Sequence, residues 1–178
     1  MRRHAVQKTK LVLLLRLIVR MGEPVISIRP LAPEKFRKAF ALLEIAGCSL
    51  SLEQWLDYAQ TATRETGDIP SGIMSAETER EYIYCIFNYL VSSQEEKQRI
   101  LKSDFVVLPN YYATQLKKLL LATIDEIAEE FRCSEIIIDF ARPFHKRKPS
   151  PTGELGSSLL ASGYRLEEDT FSKHLNSV

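Results

Sequence analysis

The sequence is poor in the features that mark several large classes of protein. Among its 178 residues are only three cysteines, and Cys48, Cys85 and Cys133 lie far apart without a CxxC pair. Neither a disulfide framework nor a zinc site is therefore indicated, and we expect buried free thiols in a reducing cytoplasm. Apolar runs stay well short of the roughly 18–20 residues that span a bilayer, which argues against an integral membrane protein.

An excess of one charge is also lacking, because 24 Lys and Arg residues oppose 23 Asp and Glu residues. Such a balance gives no general reason to expect nucleic acid or another polyanion as partner. The charges are unevenly spread, however: residues 1–20 carry six bases and no acid, while the remaining residues carry five more acids than bases. The hydrophobic content of 45% and the length suit one folded domain.

The basic N-terminal segment allows three interpretations. Its apolar run at Leu11–Val19 is interrupted by Arg16, and no small-residue cleavage site follows, so a signal peptide is not favoured. The segment is an inert extension of a protein that could begin at Met21, a helix packed on the domain, or a basic amphipathic helix that touches a membrane or a partner. We therefore divide the chain into an extension, residues 1–24, and a domain, residues 25–178.

Hydrophobic patterns predict that this domain is α+β. The long helix is the clearest element, because its apolar residues recur at helical spacing from Leu116 to Phe131. A strand on either side of it makes a βαβ unit with parallel strands. The predicted elements are a strand at Val25–Arg29, a helix from Pro33 to about Gly47, a helix from Ser51 to about Glu65, strands at Ile73–Ala76, Glu81–Ser92, Ile100–Leu101 and Asp104–Leu108, the long helix, a strand at Glu135–Phe140, a helix at Glu154–Ser162, and strands at Gly163–Leu166 and Thr170–Leu175.

Two of these elements carry more specific expectations. Ser51 and Gln54 have the spacing of a capping box, which predicts the start of the second helix. In the strand at Glu81–Ser92 both alternating faces are mostly apolar, as in a strand that is covered on both sides. The predicted strands before the long helix follow one another as a meander.

Several short segments of the sequence occur in a characteristic order. They are Ile26–Leu31 in the first strand, Phe105–Tyr111 before the long helix, Cys133–Asp139 in the next strand, and Ala161–Tyr164 with Phe171–Leu175 near the end. Together with the element order, they resemble the GNAT superfamily of acyl-CoA-dependent N-acyltransferases over about residues 25–175. The resemblance implies a mixed central sheet flanked by helices. It also implies acetyl-CoA or another acyl-CoA as acyl donor, and a small molecule or protein that bears an amino group as acceptor.

The resemblance further implies where the acyl donor binds. In this family the pyrophosphate lies on backbone amides at the start of the long helix, where free N–H groups and the positive helix end favour an anion. The corresponding residues of this chain are Val107, Tyr112, Ala113, Thr114, Gln115, Leu116 and Lys117.

This phosphate loop departs from the family pattern of Arg/Gln-x-x-Gly-x-Gly/Ala. Tyr112 replaces the first residue, and Gln115 and Lys117 replace the two small ones. We expect the two larger side chains to crowd a pyrophosphate, while Lys117 or Lys118 could add a compensating charge. The alternative is an ordinary strand-to-helix turn that holds no phosphate.

The catalytic residues are less well defined by the sequence. Many family members protonate the departing thiolate with a tyrosine four residues before the glycine that is here Gly163, but this chain has Leu159 there. An acid must therefore come from elsewhere or from water, since Tyr164 has packing as its default role. For the base, Asp139 ends the second strand of the βαβ unit, where ligands gather in open α/β sheets. Asp104 is a second candidate, although an acid before an apolar strand is most often a turn residue.

These observations predict a cytoplasmic N-acyltransferase, most readily an acetyltransferase, without a metal site. The alternative, favoured by the altered loop, is a catalytically degenerate GNAT-fold module that binds or regulates. Nucleic acid is not expected as a partner, because the run at 145–148 is short and the domain is otherwise acidic. That basic run is either a solvated loop or an electrostatic contact to the cofactor's phosphates or an acidic partner. Glu81 is a third candidate for the base, weaker than Asp104 and Asp139. A homodimer remains open.

Overall fold

One mixed sheet organises the protein. The computed structural model describes residues 25–64, 70–93, 99–107, 114–139, 154–167 and 170–175. Within them the sheet has seven strands in the order β1-β2-β3-β4-β5-β7-β6. Only β4 and β5 are parallel there, and the other neighbours are antiparallel. The strands are β1 (Ile26–Pro30), β2 (Ser71–Thr78), β3 (Ile83–Ser93), β4 (Arg99–Val107), β5 (Glu135–Asp139), β6 (Arg165–Glu167) and β7 (Thr170–His174).

Helices lie on both faces of this sheet. In the described ranges they are α1 (Phe36–Ile45), α2 (Leu52–Thr63), α3 (Thr114–Glu130) and α4 (Glu154–Ala161), with a 3-10 turn at Pro33–Lys35 before α1. The predicted capping box is confirmed, since the N–H of Gln54 donates to Ser51 Oγ and the N–H of Ser51 donates to Gln54 Oε1. Gly47 follows α1 at a φ of 77°, a conformation that ends helices and favours glycine.

Two hydrophobic cores bind these helices to the sheet. On one face the predicted stripe of α3 is confirmed, because Leu116, Leu120 and Ile124 are buried against residues such as Phe105. On the other face α1 and α2 pack through residues that include the fully buried Trp55. Because neighbouring residues of a strand point to opposite faces, one strand serves both cores. The sheet therefore forms the middle layer of three.

The predicted fold class, α+β with a mixed central sheet flanked by helices, is confirmed. The βαβ prediction also holds, since β4 and β5 are parallel on either side of α3. The division of β4 into Ile100–Leu101 and Asp104–Leu108 is wrong, because the strand runs unbroken from Arg99 to Val107. Its alternation continues through the middle, where Lys102 is exposed and Ser103 is buried.

Two smaller expectations also need correction. Asp104 is not a turn residue, since it lies within β4 and only 4% of its surface is exposed. Strand β3 is covered on both sides at its centre but not towards its end, where Leu90 is 44% exposed. Both corrections concern the same part of the sheet, where its α2 face is left partly open.

Other predictions meet the structure only in part. Cys48, Cys85 and Cys133 are free and buried, as expected. No helix in the described part of the chain is long and apolar enough to cross a membrane. The extension at 1–24 and the basic run at 145–148 lie outside the described residues. The division of the chain at residue 25 therefore stays a prediction.

A buried ion pair ties the start of α1 to the sheet. Glu77 is 2% exposed, beside an irregularity in the β2–β3 register. It accepts hydrogen bonds from Ser75 Oγ and from Lys35 Nζ, the latter at 2.5 Å. The hydrogen bond to Glu77 is the largest cause that raises the pKa of Lys35. Lys35 and Lys38 also approach Glu81, which holds a φ of 60° in the following turn.

We expect Lys35→Met to destabilise the protein by about 3 kcal/mol, because it leaves the Glu77 carboxylate buried without its cation. Lys38→Met is the matched control. Its side chain is 45% exposed and its Nζ lies 3.9 Å from the exposed Glu81, so its loss should cost less than about 1 kcal/mol. Urea unfolding of both variants measures the difference. Equal losses would show that the buried pair has no special weight.

Candidate functional site

The ladder between the parallel strands β4 and β5 is shorter than β4 itself. Their ladder begins at the pair Ile100 and Glu135 and ends at the pair Ser103 and Ile138. The next residues on the two strands are Asp104 and Asp139. Strand β4 then continues to Val107, and within the described residues no strand pairs with its β5-facing edge there. The two candidate bases therefore stand on neighbouring strands where the ladder ends.

A groove of about 680 Å³ lies at this point, between α2 and the strands. We call it the sheet groove. Helix α2 forms one side, the central strands β3 and β4 form the floor, and β5 and β7 form the far side. The side chains that matter for its chemistry are Tyr58, Asn88, Leu90, Lys102, Asp104, Ile137, Asp139 and Thr170.

Strand register arranges the floor of the sheet groove in two rows. The cross-strand pairs of Asn88 with Asp104 and of Asp139 with Thr170 belong to one row, which is polar. Two residues further along each strand, where side chains return to the same face, lies a mixed row. The mixed row consists of Leu90, Lys102 and Ile137, which are paired across β3, β4 and β5.

Asn88 links the helix side of the sheet groove to its floor. Its Nδ2 donates to the hydroxyl of Tyr58 at 2.6 Å, and its Oδ1 accepts from the N–H of Asp104 at 3.0 Å. Its backbone oxygen accepts from Ser103 Oγ at 2.6 Å. A side chain held on both its polar ends keeps one rotamer, so Asn88 fixes where the phenol of Tyr58 stands relative to β4.

The electrostatics of the site favour a neutral phenol. Burial raises the pKa of Tyr58, the hydrogen bond from Asn88 lowers it, and the charge of Asp104 raises it, with a net increase. Tyr58 therefore keeps its proton at neutral pH. Burial and Asp104 likewise raise the pKa of Cys85, so this thiol is not a nucleophile at neutral pH.

One glycine permits a close ring contact on the α3 face of the sheet, behind the floor of the sheet groove. A Cβ at Gly72 would lie 2.7 Å from the ring of Tyr89, which is closer than real Cβ atoms approach. Tyr89 also stacks on Phe131, with 6.3 Å between the ring centroids. The ring thus lies over the glycine because no side chain occupies that position.

The structure brings together some of the residues predicted from the sequence. Asp104 and Asp139 both line the sheet groove.

The residues predicted to bind the acyl donor lie at the end of β4 and the start of α3. Val107 is half-buried at the end of β4, whereas Tyr112 and Ala113 lie outside the described residues. Residues 114–117 form the first turn of α3, whose N–H groups have no partner within the helix. In that turn Leu116 belongs to the core, and Gln115 and Lys117 are half-buried.

The remaining candidates lie apart from the sheet groove. Leu159 is fully buried and offers no acid, as the sequence indicated. Tyr164 is 3% exposed in the same core, in keeping with a packing role. Glu81 is in the β2–β3 turn, where Lys35 and Lys38 approach it.

The sequence analysis missed Tyr58, Asn88 and Lys102. For Asn88 a signal existed, because it is an amide in the middle of the apolar run Tyr82–Val91. A buried amide needs hydrogen-bond partners, so it marks a polar site within a core strand. Tyr58 and Lys102 carry no comparable signal. A tyrosine in an amphipathic helix is ordinary, and so is a lysine near an aspartate that was predicted to lie in a turn.

Comparisons with known proteins agree with this architecture. No protein-family model matches the chain, and no curated protein matches it significantly. Solved structures do match over most of its length. The GNAT domain of S. lividans PAT is 12% identical with a TM-score of 0.61, and the match covers 85% of this chain and 91% of that one. A putative acetyltransferase from Acinetobacter baylyi is 10% identical with a TM-score of 0.64, over 89% and 96%.

A third similar structure is an aminoglycoside acetyltransferase in complex with coenzyme A and kanamycin. It is 9% identical with a TM-score of 0.57, and the match covers 85% of this chain and 96% of that one. At these identities the likeness establishes the fold. The chain has the GNAT fold, as the resemblance in its sequence implied.

We expect the pKa of Tyr58 to move in opposite directions in two variants. Asn88→Ala removes the hydrogen bond that lowers it, so the pKa rises further. Asp104→Asn removes the charge that raises it, so the pKa falls. NMR titration of ring-labelled tyrosine follows the ionisation, and Tyr58→Phe identifies the signal. Shifts of the same sign in both variants would contradict the described network.

Proposed function

We propose that the protein is an N-acyltransferase that moves an acyl group, most readily acetyl, from acyl-CoA to an amine. The observation that carries this proposal is the end of the β4–β5 ladder, beyond which β4 continues as a strand, with a carboxylate on each strand at that point. The fold alone would not be enough, because folds host many functions. The extended edge of β4 and the two aspartates are features of this chain itself.

The β5-facing edge of β4 fits the acyl donor. After Ser103 this edge carries backbone N–H and C=O groups that no described strand pairs. An extended molecule with amide groups, such as the pantetheine arm of CoA, can hydrogen-bond to such an edge as an added strand would. Val107 at the end of β4 and the first turn of α3 would then border its phosphate end. When bound, acyl-CoA supplies the acyl group as a thioester.

The sheet groove fits the acceptor. An amine arrives at neutral pH as an ammonium ion, which Asp104 and Asp139 attract. One of the two carboxylates takes a proton from it, directly or through a water molecule, so that the nitrogen gains a free electron pair. The nitrogen then forms a bond to the carbonyl carbon while the carbon–sulfur bond breaks. The nitrogen loses its second proton as the amide forms, and the leaving thiolate takes up one proton, so that the products are an amide, the CoA thiol and the proton held by the carboxylate.

Tyr58 is our candidate for the acid that the sequence did not reveal. Its raised pKa keeps the phenol protonated, and it lines the same groove as the two aspartates. The hydrogen bond from Asn88 holds this phenol, which belongs to α2, next to the strands. In this assignment Asn88 is a positioning residue, because it acts through Tyr58 and the backbone of Asp104.

We also place the protein in the cytoplasm. Three free, buried thiols support this location, because secreted proteins of this size usually oxidise their cysteines. The acceptor is a small molecule or protein with an amino group, in keeping with the open groove.

A second function is favoured by one specific observation. Gln115 and Lys117 stand where the family has small residues, and their half-buried side chains belong to the turn that would receive the phosphates. If they exclude CoA, the fold serves as a binding or regulatory module instead. Acyl-donor binding therefore decides between the two functions.

We expect acetyl-CoA to bind and to raise the melting temperature by mass action. The double variant Gln115→Gly and Lys117→Gly should bind it more tightly, because two side chains leave the phosphate end of the site. Calorimetric titration compares the two proteins. The double variant Ala122→Gly and Glu126→Gly is the control for lost helix propensity, because both side chains are exposed on α3 beyond its first turn.

Weaker binding by the double variant, with a smaller salt dependence, would show that Lys117 attracts the phosphates instead. No binding of acetyl-CoA or longer acyl-CoAs by either protein, even at millimolar ligand, would reject the transferase and leave the module.

Replacing the carboxylates should separate their roles. The variant that removes the base, Asp104→Asn or Asp139→Asn, should lower kcat by about 10²–10⁴, as expected for lost proton transfer. Loss of a residue that only binds the ammonium should raise KM and leave kcat nearly unchanged. Steady-state kinetics with saturating acetyl-CoA measures both. Asp57→Asn, an exposed carboxylate of α2 outside the groove, is the control.

An unchanged kcat and KM in both groove variants would remove the aspartates from the mechanism. Acetyl-CoA affinity, measured on the same variants, should stay as in the wild type. A parallel loss of affinity would mean that the substitutions disturb the edge of β4 and not the proton transfer.

A further inference from the structure

The sheet groove contains a cation between its walls. Lys102 lies in the mixed row on β4, an exposed residue of a central strand. Within the described residues its ammonium makes no ion pair, although other lysines of the protein do, such as Lys35 with Glu77 and Lys173 with Asp125. A lysine on the floor of a groove that is left without an anion is available to a ligand.

The apolar side chains around Lys102 favour a bound anionic ligand at its ammonium. Leu90 and Ile137 flank it on the neighbouring strands, in the same row. Leu90 is 44% exposed, so apolar surface lies open beside the charge. A ligand that covers Leu90 would also displace water from around the ammonium, which strengthens an ionic contact.

The spacing between the polar row and the mixed row determines how far the two carboxylates lie from the ammonium of Lys102. Asp104 follows Lys102 by two residues on β4, and Asp139 follows Ile137 by two residues on β5. Two residues of a strand span about 7 Å. The groove thus presents carboxylates in one row and a cation in the next, an arrangement complementary to a molecule with both charges.

We propose that the acceptor is a primary amine that also carries an anionic group, a carboxylate or a phosphate, roughly 5–7 Å from its nitrogen. The ammonium lies at Asp104 and Asp139, and the anionic group at Lys102. This inference rests on the proposed acyltransfer, since it names the acceptor class of that same groove. It makes Lys102 a specificity-determining residue and disfavours polyamines, whose second cation would meet Lys102.

The test uses four amines with matched or contrasting charges. Alanyl-alanine carries a carboxylate, its C-terminal amide lacks that charge, phosphoethanolamine carries a phosphate, and spermidine carries further cations. Acyl transfer from acetyl-CoA is measured for each with the wild type, Lys102→Gln and Lys102→Glu. Lys38→Gln is the control, because this lysine lies on α1 outside the groove.

We expect the wild type to prefer an anionic amine over the neutral amide by about tenfold in kcat/KM, as for a charge-assisted hydrogen bond. Lys102→Gln should abolish that preference, and Lys102→Glu should turn it towards spermidine. The comparison between alanyl-alanine and phosphoethanolamine identifies which anion fits. Equal or better transfer to the amide or to spermidine by the wild type would overturn the inference while leaving the transferase intact.

A binding measurement separates this inference from the proposed function. NMR titration of the four amines, with and without coenzyme A, reports their affinities even where no transfer occurs. Lys102-dependent binding of the anionic amines without any transfer would reject the enzyme and retain the ligand class. No Lys102-dependent difference in affinity or in transfer, in variants with unchanged melting temperatures, would reject the ligand class.

Discussion

The end of the β4–β5 ladder at Ser103 and Ile138 is the constraint on which the site depends. A partner strand that continued along β4 would pair with its backbone groups and leave no edge for a ligand. Since no described strand does so, β4 lacks those hydrogen bonds, and its last residues must be held by other contacts. The two cores provide that support, because Phe105 packs on the α3 face and Val106 on the α1 and α2 face. A strand anchored on both faces stays in place without its neighbour.

Polar residues lie deep in the sheet at the same point. Asp104 is 4% exposed, and such a carboxylate is costly unless its surroundings compensate for lost water. Asn88 helps to organise those surroundings, since its amide binds the N–H of Asp104 and the hydroxyl of Tyr58. A hydrophobic residue at Asn88 would pack as well in a strand but would leave these groups without that link. The site is thus a polar cluster between α2 and the sheet, both of which are otherwise mostly apolar where they pack.

Local patterns in the sequence predicted the elements well. The capping box at Ser51 and the stripe from Leu116 each depend on residues within a few positions of one another, and both are found in the structure. The βαβ unit followed from element order. Asp104 was misjudged as a turn residue, because Lys102 and Ser103 interrupt the apolar pattern of β4 as a turn would.

The composition of the groove could not be predicted in the same way. Whether Asp104 stands beside Asp139, or Lys102 beside Leu90, depends on strand register across 12 to 35 positions of sequence. A single-residue change of register would turn each side chain to the opposite face. The contact from Tyr58 to Asn88 spans 30 positions and joins a helix to a strand.

Gly72 divides the consequences of mutation between the two faces of the sheet. The ring of Tyr89 occupies the space that any side chain at this position would need. An exchange of glycine for even the smallest side chain would therefore push the ring against its neighbour Phe131, on the α3 face. Asn88 and Leu90 point to the other face, as alternate residues of a strand do. Mutations at this codon would then alter the packing behind the sheet, while the side chains that line the groove are inherited unchanged.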